Sequence, residues 1–180
     1  MSILRAPVTS DDHIRGAFNA PATLVEYGDY ECPYCGLAHP VVRRVQKHFG
    51  SKLRFVFRHF PLSQVHPMAE SAAETAEFAG SHGRFWEMHD GLYENQERLS
   101  PALLFTLAEA LGLSDRQLRQ ALETGIYGPD VRADFLGGVR SGVNGTPAFF
   151  VGNRRHDAPF DFEYLAAAIH DELAQAKAAL

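Results

Sequence analysis

The stretch Val25-Glu26-Tyr27-Gly28-Asp29-Tyr30-Glu31-Cys32-Pro33-Tyr34-Cys35 decides how this chain is read. Thr23–Tyr27 is short, β-branched and aromatic, which predicts a central strand ended by Gly28 and Asp29. The apolar period then changes. Leu37, Val41, Val45 and Phe49 fall four apart on one helix face, with Gly50 as the stop. Cys32 and Cys35 therefore stand at a strand-to-helix junction. Pro33 suits the first helical turn, where its missing N–H costs little, whereas Pro40 is expected to kink the helix. Two cysteines three apart at a helix start can close into a disulfide, and the free N–H groups there favour a thiolate on Cys32. This spacing makes Cys32 the nucleophile and Cys35, deeper in the helix, the resolving thiol. Tyr34 flanks the pair without adding charge. Half of a zinc site and two ordinary core cysteines are the competing readings. His39, His59 and His66 could complete a zinc set, but four ligands are usual and no second cysteine pair exists.

Outward from this junction, Leu53–Phe60 reads as a second strand closed by Pro61, and residues 67–142 are mostly helical. Met68–Ala79 is alanine-rich. Phe85, Met88, His89, Leu92 and Tyr93 mark one helical face, and Leu103–Leu111 carries another. Ser114 is placed to start Asp115–Glu123, and Val131–Val139 follows. The Phe85-Trp86-Glu87-Met88-His89 run resembles a binding box, but its spacing suits core packing. Ala148–Val151 is a short strand, Gly152-Asn153 a turn, and Arg154-Arg155 the start of a return strand. Phe162, Leu165, Ala166, Ile169 and Leu173 mark a last helix. The order β, α, β, helices, β, β, α predicts an α/β layer with an inserted helical subdomain. The organisation expected is a lead-in over 1–19 with a short edge strand near His13–Ala17, a first half over 20–65, a helical insertion over 66–142 and a second half over 143–180.

The 180 residues are 46% hydrophobic and 22% charged, which excludes collagen, a disordered chain and a disulfide-dense mini-protein. Seventeen basic against 22 acidic residues give a formal charge of −5, so no nucleic-acid partner is expected. No run approaches the ~18 apolar residues of a membrane span, so no membrane insertion is expected. The start, MSILRAPVTSDDHIRG, lacks an apolar core of signal-peptide length, and the written chain reads as cytoplasmic.

Three segments together resemble the thioredoxin superfamily, and more closely the DsbA-like thiol-disulfide oxidoreductases. They are Val25–Cys35 with its Cys-Pro-Tyr-Cys motif, Phe57-Arg58-His59-Phe60-Pro61-Leu62, and Gly142–Val151 with Gly145-Thr146-Pro147 before a strand. The resemblance covers residues 20–175 and implies a thioredoxin fold interrupted by a helical subdomain. It implies a cis Thr146–Pro147 bond opposite the reactive pair, with the Thr146 backbone binding an extended substrate segment. It also implies that Glu26 lies buried beneath the pair and passes a proton to the resolving thiol. His59 is a candidate modulator of local potential, though a cap or backbone contact is the favoured role. His39 has the same standing. No metal or organic cofactor is expected, because the disulfide is itself the redox group. The implied partners are protein or peptide thiols and disulfides, with a small-molecule thiol or a thioredoxin-type reductant to recycle the pair. Oxidant, reductant and isomerase directions stay open. The alternatives are a glutathione-dependent isomerase or transferase, which the second cysteine disfavours, and a non-catalytic peptide-binding module switched by its cysteines.

Overall fold

The computed structural model describes residues 2–178. Five strands form one mixed sheet: β1 (His13–Arg15), β2 (Ala22–Gly28), β3 (Leu53–His59), β4 (Ala148–Val151) and β5 (Arg154–His156), in the order β1-β3-β2-β4-β5. β2 and β3 are parallel, joined by helix α1 (Pro33–Phe49), and the other pairings are antiparallel. Between β3 and β4 lie α2 (Ala69–Ser81), α3 (Phe85–Glu94), α4 (Pro101–Ala110), α5 (Asp115–Thr124) and α6 (Gly128–Arg140). Helix α7 (Phe162–Ala178) follows β5. This is an α/β thioredoxin fold with an extra helical subdomain. The edge strand expected over His13–Ala17 is real but ends at Arg15, where Gly16 turns the chain away at φ 109°. Pro40 does not break α1; it sits inside the continuous helix on the solvent side, where water can reach the carbonyl it leaves without a partner.

Every residue of β2 is buried, as expected of a strand covered on both faces. Strand alternation sends Leu24 and Glu26 to one side and Val25 and Tyr27 to the other. The Leu24 side carries the larger core, with Phe55, Phe57 and Phe149 of neighbouring strands under α1, α7 and helices α2 to α5. On the Tyr27 side, Val25, Val56 and Phe150 meet Phe135 of α6 and residues of the N-terminal segment. Helix α6 comes very close to the sheet there: a Cβ on Gly138 would lie 2.7 Å from the Phe60 ring and 3.0 Å from Tyr27.

The run Phe85–Met88–His89 packs as core, with Phe85, Met88 and His89 all buried. Trp86 docks against the edge strand. Its indole N–H donates to the Ile14 carbonyl (3.3 Å), and the Arg15 guanidinium lies 4.4 Å over its ring while bonding Asp90 at 2.9 Å.

The N-terminal segment is tied to β3 by a buried ion pair. Arg58 donates to both carboxylate oxygens of Asp12 (2.7 and 3.1 Å), to the Ala6 and Pro7 carbonyls and to the Tyr27 hydroxyl. Removing one partner of such a pair strands the other's charge in the core, which costs about 3 kcal/mol. Asp12→Ala is therefore expected to lower the unfolding free energy by about that amount in urea titrations. A loss within the ordinary ±0.5 kcal/mol of surface substitutions would show that Arg58 rests on its carbonyl partners alone.

Candidate functional site

Cys32 is the N-cap of α1 and Pro33 its first residue, and no acidic side chain occupies the first turn. The Cys32 carbonyl accepts the N–H groups of Cys35 (3.0 Å) and Gly36 (3.2 Å), which sets the turn. Its Sγ lies 3.3 Å from the Thr146 carbonyl oxygen, and the Thr146–Pro147 bond is cis. The two sulfurs are free thiols in different environments. The hydrogen bond from the Cys35 thiol is the first cause lowering Cys32 to about 5. The N–H groups of Cys35 and Tyr34 add to it, against the opposing effect of burial. Cys35, fully buried, is pushed well above the usual thiol range, first by burial and then by its bond to Cys32 and the charge of Glu26.

Glu26 lies on the same sheet face as α1, in register with Phe57 on one side and Phe149 on the other. It is 2% exposed, and its Oε1 has no hydrogen-bond partner. Burial among these rings, then the charge on Cys32, raises its carboxyl to about 8. At neutral pH the site therefore combines an ionised outer sulfur, a protonated inner sulfur and a protonated buried carboxyl. That arrangement can attack a disulfide and hold a proton in reserve.

The turn before Cys32 is gripped from several directions. Asp29 is buried and accepts the N–H of Glu31 (2.8 Å), the N–H of Leu62 (2.9 Å) and a bond from His66 Nδ1 (2.8 Å). The Glu31 carboxylate accepts the N–H of Met68 at 2.5 Å. From the turn after α3, the Gln96 side-chain amide donates to the carbonyls of Tyr30 (2.8 Å) and Cys32 (2.9 Å). Gly36 makes room for it, since a Cβ there would lie 2.1 Å from Gln96 Oε1. Tyr34 and Leu37 remain exposed around the pair, beside a cleft of about 660 Å³ lined by Glu31, Pro33, Leu37, Tyr93 and Gln96 among others.

His59 is turned toward Glu77 of α2. It is 1% exposed, its Nε2 lies 2.9 Å from Glu77 Oε1, and its backbone N–H donates to Asp134. His39, one turn beyond Cys35, lies 3.6 Å from Asp90, and burial lowers its pKa. Sequence reasoning missed Gln96 and the anchoring role of Asp29, and weighed His66 for zinc rather than for its bond to Asp29. The acidic pair flanking Tyr30 was a usable signal for Asp29, while nothing in the local sequence marks Gln96, 64 positions from Cys32.

The family model described as Thioredoxin matches residues 8–171. Among curated proteins, the chain is 48% identical over 167 residues to Na(+)/H(+) antiporter NhaA 1 of Salinispora arenicola, covering 92% of this chain and 26% of the antiporter. It is 46% identical over 175 residues to NhaA 3 of Salinispora tropica, covering 97% of this chain and 27% of that protein. The chain thus spans about a quarter of the length of the curated relatives it matches. Among solved structures, BdbD from Bacillus subtilis in its oxidised form matches with a TM-score of 0.87 and 23% identity, over 96% of this chain and 98% of that one. Wolbachia pipientis α-DsbA1 matches at 0.84 and 19%, over 98% and 97%. The catalytic domain of Proteus mirabilis ScsC matches at 0.74 and 19%, over 91% and 89%. These likenesses show a DsbA-like fold. The cytoplasmic location expected from the sequence does not stand against these matches. That expectation rested on the absence of a leader in the written chain, and where a sequence begins carries no information about where the protein works.

Gln96→Ala removes the donor that holds the Tyr30 and Cys32 carbonyls. The turn's N–H groups then align less well on the sulfur, and a lost hydrogen bond is worth ~1 kcal/mol. The Cys32 pKa, followed by alkylation rate against pH, is expected to rise by about 0.5 to 1 unit. An unchanged profile in a folded variant would confine Gln96 to a packing role.

Proposed function

The chain belongs to the thioredoxin family and carries the cysteine pair of thiol-disulfide exchange, and we propose that it is a protein thiol-disulfide oxidoreductase poised toward oxidation. The split between the two sulfurs carries this reading. Cys32 is held as a thiolate, with a pKa of about 5, while Cys35 is held protonated. A stabilised thiolate favours the reduced form of the pair, which makes its disulfide a ready electron acceptor.

In the oxidative direction, a substrate thiolate attacks Cys32 Sγ of the Cys32–Cys35 disulfide. A substrate–Cys32 mixed disulfide forms, and the bond to Cys35 breaks with its electron pair on Cys35. Cys35 then takes a proton, for which the Glu26 carboxyl is the nearest reserve. A second substrate thiolate attacks the substrate sulfur and releases Cys32 as a thiolate. Thr146 and Pro147 are the substrate-binding residues in this scheme: an extended peptide pairs with the Thr146 backbone as an added strand. Pro33 and Tyr34 shape the rim. Recycling needs a disulfide-supplying partner, or a thiol reductant if the pair runs in reverse.

The curated relatives favour a second reading for the partner. A stretch similar to this chain forms about a quarter of two sodium/proton antiporters, which supports a membrane transporter as the protein whose cysteines exchange with Cys32. Cys35→Ser should trap the mixed disulfide, and its recovery from membranes or from the soluble fraction separates the two readings.

Two outcomes test the main proposal. Equilibration in glutathione buffers should place the Cys32/Cys35 couple above about −200 mV, with Cys32→Ser abolishing peptide oxidation. A potential near the ~−270 mV of a reductant would reverse the direction assigned here. Glu26 supplies the second. Its folded pKa of about 8 stands above the ordinary carboxyl value, so the folded state holds the extra proton between the two. Its contribution is fully present below the unfolded pKa and is lost as pH rises through about 8. Glu26→Gln should therefore gain at least about 1 kcal/mol over the parent at pH 9 in urea unfolding. It should also slow release of the mixed disulfide near neutral pH. Equal stability at both ends of the pH range would mean that Glu26 titrates normally.

A further inference from the structure

A second cluster of chemistry-bearing side chains lies at the β1 edge of the sheet, apart from the cysteines. β1 and β3 are antiparallel with His13 opposite Phe57, so His13 and His59 point to the same sheet face. Helix α2 covers that face and lays Glu77 between them. His13 Nε2 is 2.7 Å and His59 Nε2 2.9 Å from the same oxygen, Glu77 Oε1, and the three ligating atoms lie within 4.8 Å of one another.

The two imidazoles are held in place by aromatic contacts. His13 stacks on Phe85, with centroids 3.4 Å apart and planes 6° apart, and His59 meets the edges of Phe57 and Phe85. A cavity of about 420 Å³ opens beside the cluster, lined by His13 and Glu77 together with Asp11, Asp12, Asp130 and Asp134. Arg58, the basic side chain in its wall, is already committed to Asp12 and two backbone carbonyls.

We propose that His13, His59 and Glu77 bind a divalent transition cation of the zinc type, with the acidic cavity supplying water to the remaining coordination positions. Two imidazole nitrogens and one carboxylate oxygen form a donor set suited to Zn²⁺ or Co²⁺. The cation replaces the protons that the two histidines share with Glu77, and a rotation of each ring edge opens the gap between donors. Its effect is structural: it pins the edge strand and the end of β3 to α2. The site is independent of the cysteine chemistry, so it stands or falls separately from the redox reading.

The test uses the oxidised protein, because a reduced cysteine pair binds zinc itself. Calorimetric titration with Zn²⁺ is expected to show one equivalent per chain in the micromolar range, and Co²⁺ to give a visible absorption band. His13 lies on the edge strand and is only partly buried, so His13→Ala should fold, as judged by circular dichroism, and bind at least about tenfold more weakly. Glu77→Gln keeps the shape of the side chain and removes its charge, and should weaken binding likewise. His39→Ala alters the other histidine cluster, near His89 and Asp90, and should leave binding unchanged. Absence of saturable binding overturns the proposal. So does binding that survives in both His13→Ala and Glu77→Gln, or that is lost only in His39→Ala.

Discussion

One negative charge, on Cys32 Sγ, sets what the surrounding structure must do. The sulfur lies within a buried junction, yet it is held as a thiolate because donors converge on it from the Cys35 thiol and the first-turn N–H groups. The same charge raises the proton affinity of its neighbours. It contributes to holding the proton on Cys35 and on Glu26. Three groups on two elements thus titrate as one unit, and a change at any of them is felt at the others.

Holding that charge needs a turn that does not move. The helical subdomain supplies the restraint. His66, Met68 and Gln96 all reach the segment from Asp29 to Cys32: Gln96 bonds two of its main-chain carbonyls, and His66 and Met68 bond the Asp29 and Glu31 carboxylates. Tyr30 beneath the turn packs against Phe57, His89 and Tyr93, and its hydroxyl lies 3.1 Å from His89 Nδ1. The insertion is therefore part of the reactive junction rather than an appendage to the sheet.

Much of the architecture is legible in the chain because it is local. The change from a β-branched run at Thr23–Tyr27 to a four-residue period from Leu37 marks β2 and α1, and Ser114 marks the start of α5, where its hydroxyl accepts the Gln117 N–H. The cysteine spacing likewise identifies a helix start. What could not be read depends on distance through space. Gln96 meets Cys32, and His13 meets Glu77, only once the sheet and helices have packed. The position of His59 is similar: its sequence neighbours place it at a strand end near the site, but the side chain points toward α2 and pairs with Glu77.

The grip on the reactive turn has an evolutionary consequence. Gln96 recognises main-chain carbonyls, and the only side-chain demand it makes within the turn is that Gly36 stay small. Pro33 and Tyr34 point outward, with Tyr34 63% exposed. The dipeptide between the cysteines can therefore be exchanged while the scaffold stays intact, so one framework can be retuned for donors of different strength by altering two letters of its code.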